Sequence, residues 1–132
     1  MRNLGDDQQA RIELRAAHTW YTSAGGGEGA ALAACLLAAV DSAMGLPGAL
    51  DRLRAVLAGA ERDDDREVSV LAGDAIARHY CAKNEWPEAE RWLARADQWY
   101  PSAAHLLVER DRFDAEQVRI ARSRRVLDPP VR

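Results

Sequence analysis

Lysine is nearly missing from this chain. Lys83 is the single example among 132 residues, so arginine carries almost all of the positive charge. The net charge of −3 is too small to imply a nucleic-acid or membrane partner by itself. Cysteine is scarce, with Cys35 and Cys81 both inside predicted helices on apolar or mixed faces. They read as free, buried thiols, and no disulfide framework is demanded. Long apolar runs are absent too. The longest, residues 29–40, falls well short of the roughly 20 residues needed to span a bilayer. The opening MRNLGDDQQ carries charge early and lacks the apolar centre of a signal peptide. A soluble protein of a reducing compartment, the cytoplasm, is expected, and Met1 favours a complete chain.

Constellations that carry chemistry are missing as well. His18, His79 and His105 are scattered, and no Ser/His/Asp or Cys/His arrangement follows from their spacing. His79 and Cys81 lie two apart on a helix and point to different sides. His18 has no second ligand three or four residues away. Glu109, Asp111, Asp114 and Glu116 do not form an i, i+3 metal box with histidine. The glycine-rich stretch 23–29 lacks the lysine and hydroxyl of a phosphate loop, and no strand precedes it. The acidic run Asp63, Asp64, Asp65 and Glu67 is the one feature that looks like magnesium chemistry. It reads instead as a solvated turn whose aspartates favour the positive start of the next helix. Arg119, Arg122, Arg124 and Arg125 read as a solvated helix face rather than a phosphate site. No catalytic, cofactor or metal-binding residue is expected.

What is present is helical pattern. Hydrophobic residues make up 48%, which argues against disorder, and the length suits one core. Asp6 or Asp7 is placed to cap a first helix running to about Ser23, with Ala10, Leu14, Ala17 and Tyr21 on its stripe. Consecutive glycines from Gly25 end it. Residues 28–44 are apolar all round, which predicts the centre of the fold. Leu50, Leu53 and Leu57 recur on the next helix. The organising stretch is 70–101. Its first helix carries Ile76, Ala77 and Tyr80, with Gly73 a turn earlier; its second carries Ala89, Leu93 and Ala96. Pro87 suits a first helical turn, and Pro101 closes the unit. Ser102 is placed to cap a final amphipathic helix. Trp92 and Trp99, seven apart, share a face and either pack on that helix, the preferred reading, or anchor a partner.

The set Ala77, Tyr80, Trp86, Ala89, Leu93, Ala96 and Pro101 resembles the tetratricopeptide repeat, a helix-turn-helix unit of 34 residues. Gly73 departs from it, since a large residue is usual there. Leu46-Pro47-Gly48-Ala49 echoes Trp86-Pro87-Glu88-Ala89 at an offset of 40, giving a degenerate copy over residues 30–59. The resemblance implies an all-α fold, a short right-handed array of about six antiparallel helices in a single domain, 1–132. Its parts would be an N-terminal helix 1–23, a degenerate repeat 28–61, a better repeat 67–101 and a capping helix 102–127. It also implies a partner peptide in a groove lined by the first helix of each pair. In the second pair that face is Leu71, Asp74, Arg78, Cys81 and Ala82. In the first it is Leu32, Ala34, Leu37 or Ala38, and Asp41. Asp74 stands where a carboxylate clamp would have asparagine, so a chaperone tail is not the expected ligand. Asp74 and Arg78, at i and i+4, are expected to pair on the surface.

The function expected is a non-enzymatic protein-interaction module, an adaptor or regulator. Two alternatives stand beside it. One is a self-associating structural protein, a homodimer, because such arrays need about three repeats to be stable. The other is a small magnesium-dependent helical enzyme using the Asp63 cluster.

Overall fold

Asp65 starts the central helix. In the computed structural model, which describes residues 4–25, 28–107 and 109–127, its carboxylate accepts the Val68 amide at 3.2 Å. That satisfies one of the donors a helix start leaves open. The helix that follows, α4 (Arg66–Ala82), is buried at every residue from 68 to 77. Among the described residues the rest is also helix and turn, with no strand. The other elements are α1 (Leu4–Ser23), α2 (Glu28–Ala43), α3 (Ala49–Arg62), α5 (Trp86–Asp97), the short α6 (Tyr100–Ala103), a 3-10 turn (Ala104–Leu106) and α7 (Glu109–Leu127). No helix among them is long and apolar enough to cross a membrane.

The neighbours explain the burial. α4 touches α2, α3, α5, α6 and α7, whereas α1 lies against α2. The expectation that 28–44 forms the centre is therefore corrected. Among the described side chains of α2 only Ala33, Cys35, Ala38, Val40 and Asp41 are buried. Its apolarity is mostly alanine, which tolerates exposure, while the number of surrounding helices decides depth. Leu53 and Leu57 of α3, Ile76 of α4 and Leu93 of α5 are the largest fully buried side chains. Removing a leucine such as these costs about 2–5 kcal/mol.

Several boundaries differ from expectation, each for a local reason. Asp6 and Asp7 lie within the first turn of α1 rather than capping it. Pro87 sits in the first turn of α5, as its missing N–H allows. Pro47 precedes α3, because Gly48 takes a left-handed φ of 80° and delays the helix to Ala49. Pro101 opens α6 instead of closing the preceding unit, since the chain has already left α5 at Asp97. The capping helix 102–127 is likewise broken. Ala103 and Leu107 drop into the core, and the long helix starts only at Glu109.

Three ion-pair sets tie the layers. Asp41 of α2 is buried and accepts from Arg11 of α1 at 2.7 Å and from Arg52 of α3 at 2.9 Å. Glu61 of α3 pairs with Arg95 of α5 through two oxygens, at 3.0 and 3.1 Å from Nε. Asp74 of α4 meets Arg119 of α7.

Candidate functional site

Small residues on two facing helices leave a cleft between them. Ala39, Ser42 and Ala43 close α2, and Ala75, Arg78, His79 and Ala82 run along α4 at i, i+3, i+4 and i+7. With Gly45 and Lys83 they enclose an open cleft of about 430 Å³. Ala75 forms a buried floor, while Ala43 and Ala82 are exposed at the mouth. This volume lies in the range of ligand-sized clefts.

The polar groups of the cleft are cationic or neutral. Arg78, His79 and Lys83 stand in its wall, and among the described residues no carboxylate does. Ser42 Oγ and His79 Nδ1 are 3.2 Å apart across the α2–α4 boundary. Burial holds the His79 imidazole below its ordinary 6.5, and the cations of Lys83 and Arg54 push the same way against Glu85. A serine–histidine pair activates its hydroxyl only if the histidine takes up a proton. This environment disfavours the imidazolium and so makes His79 a weak base. The pairing is a hydrogen bond that fixes one wall of the cleft.

The five residues expected to line a groove are divided by the structure. On a helix Leu71, Arg78 and Ala82 share a stripe with Ala75, whereas Asp74 and Cys81 belong to the adjacent stripe with Ala77. Arg78 and Ala82 line the cleft. Leu71 is buried within the core, and Cys81 is half-buried, its thiol pushed up by burial and by Glu90. Asp74 is only 3% exposed, so its expected place at the surface is corrected, while the Arg78 cation still acts on its carboxyl. Its carboxylate instead accepts from Arg119 Nη1 at 2.8 Å. Burial raises the Asp74 carboxyl above its usual value, with Arg119 pulling the other way.

The first-pair residues miss the cleft by one position. Asp41 turns toward Arg11 and Arg52, and Ala38 is core. Ala39, Ser42 and Ala43 take the wall instead. Ser42 and His79 were not legible as a pair, because 37 residues separate them. The stripe Ala75, Arg78, His79, Ala82 was the signal available.

The arginines of α7 are also reassigned. Arg119 and Arg122 are not a solvated face. Arg119 Nη2 lies 2.9 Å and Nε 3.0 Å from Asp97 Oδ1, and Arg122 donates to Asp97 Oδ2 at 2.7 Å. Arg124 is exposed, and the Arg125 side chain lies outside the described residues. Burial works against the Arg119 cation, but Asp74 and Asp97 outweigh it and hold its pKa above the ordinary value. Trp92 packs against a small cluster of Ala77, Leu93 and Val118 of α7. Trp99 does not share its helix face, since α5 ends before it; its indole lies 3.5 Å from Glu61. The acidic run is likewise divided between two helix ends, Asp63 closing α3 and Asp65 opening α4.

No protein-family model matches the chain, and neither a curated protein nor a solved structure does.

Proposed function

We propose that this chain is a non-enzymatic protein-interaction module, an adaptor or regulator, that holds a peptide or helix of another protein in the α2–α4 cleft. The observation that carries the reading is the cleft itself, walled by the first helix of each helix pair and rimmed by Arg78, His79 and Lys83. The order of neighbours supports an array of the tetratricopeptide kind. α2 touches both α3 and α4, α3 touches α4, and α4 touches α5, as stacked helix pairs require. The disfavoured imidazolium at His79 argues against a hydrolytic role for the Ser42 pair.

The test uses peptides selected by display on the immobilised protein. Affinity is then compared between wild type and an Ala43→Trp/Ala82→Trp variant. Both alanines are exposed, so indoles fit there without disturbing the core. A drop of tenfold or more, about 1.4 kcal/mol, is the expected result. Equal affinity removes the cleft from consideration.

Self-association is the second reading, and one observation favours it. Ile12 and Trp20 of α1 are 61% and 66% exposed and lie on one stripe with Ala16. Light scattering after size exclusion decides: a monomer at micromolar concentration rules this reading out.

A further inference from the structure

α7 lies against α4 beside the cleft, on the stripe that carries Asp74 and Ala77. Its described side chains, residues 115–124, meet the core along one narrow line: Ala115, Val118, Arg119 and Arg122, at i, i+3, i+4 and i+7. Only Ala115 and Val118 among them are buried, and Ile120 points outward, 42% exposed. Charge supplies the rest. Arg119 reaches Asp74 and Asp97 and lies 4.0 Å over the Tyr100 ring, while Arg122 holds Asp97.

Docking α7 in this way has an evident cost. Asp74 Oδ1, beneath Arg119, is buried with no hydrogen-bond partner. A buried polar atom without a partner loses its hydration and gets nothing in return. Such atoms regain water when the covering element leaves. Over the described side chains, 115–124, a helix attached by two arginines, little apolar area and a carboxylate oxygen left unsatisfied opens at lower free energy than a helix buried at every residue from 68 to 77. α4 is of the second kind.

We infer that α7 is a detachable strap, latched by Arg119 and Arg122 onto Asp74 and Asp97. While latched it covers the Asp74 side of α4. The surface beneath fits a partner helix that presents small apolar residues and two arginines three positions apart. Its bearing on partner binding rests on the groove reading above; the detachment itself does not.

Hydrogen exchange on the full chain tests this, comparing wild type with Arg119→Glu, which faces two carboxylates with a third. The expected result is that amides of residues 115–124 exchange about tenfold faster or more in the variant, with buried amides of α3 and α4 unchanged. In wild type, raising salt from about 0.05 M to about 1 M accelerates the same amides relative to α4, by less because the pairs are partly buried. A labelled peptide of residues 109–127 binds the Arg119→Glu chain and not wild type, whose own α7 is in place. Loss of α4 protection together with α7, or α7 amides that stay protected in both arms, would overturn the strap. A cleft that binds no peptide leaves these exchange results untouched, so the two readings fail separately.

Discussion

Gly73 of α4 and Ala96 of α5 approach so closely that a Cβ at Gly73 would lie 2.9 Å from the Ala96 Cβ. Side-chain carbons do not pack at that distance. The position sits in the buried centre of α4, where Ala96 itself is fully buried. The glycine is therefore spent on proximity of two helices, not on backbone freedom. Gly73→Ala gains up to about 1 kcal/mol of helix propensity, yet has to part α4 from α5, at about 1–3 kcal/mol. A net loss of stability in urea titration is expected. A more stable variant would show that α4 and α5 are not packed this tightly.

Asp41 holds α1 to the rest of the fold through Arg11 and α3 through Arg52. Both arginines are partly exposed, so the pairs are worth less than buried ones. Asp41→Asn is expected to cost about 1–2 kcal/mol. It should also release α1 first, seen as faster amide exchange there than in α3 or α4. Unchanged protection in α1 would mean that its apolar face alone docks it.

Asp64 and Asp65 are adjacent yet should respond oppositely. Asp65 caps α4, so Asp65→Ala is expected to lower stability by about 1 kcal/mol. Asp64 is held at a φ of 56°, where glycine is at ease. Asp64→Gly should be neutral or slightly stabilising in the same thermal melt. Equal losses at both positions would show that the acidic run acts as a unit.

His79 gives a pH signature. Its pKa is lowered on folding, so the folded state prefers the neutral imidazole. The resulting stability is complete above 6.5 and is lost as pH falls below 6.5 through the folded value. Asp74 acts with the other sign, because its raised carboxyl pKa favours the protonated form. Its contribution is present below 3.8 and is lost as pH rises through the folded value. Comparing wild type with His79→Gln isolates the first effect. The urea midpoint of wild type should fall more between neutral pH and about pH 5. Parallel curves would contradict a half-buried, cation-flanked His79.

The pattern of residues 70–101 made much of this legible. Ile76, Ala77, Leu93 and Ala96 were readable as core from helical spacing alone, and all are fully buried. The close approach at Gly73 was readable from its small neighbours. Depth was not legible in α2, because apolar content does not say how many helices will surround an element. The fate of Asp74 was hidden for a similar reason. Its partner, Arg119, lies 45 residues away on a helix whose docking no local spacing records. The five residues expected along the groove do not share one side, since a helix presents Leu71, Arg78 and Ala82 to one side and Asp74 and Cys81 to the next. Only the packing of α2 and α7 decides which side stays open.

The most direct measurement is an NMR footprint of a display-selected peptide on the isotope-labelled protein. The account predicts shifts confined to Ala39, Ala43, Ala75, His79 and Ala82, with α1 silent. Shifts centred on Ile12 and Trp20, with the cleft residues unmoved, would contradict it and place binding on the exposed face of α1.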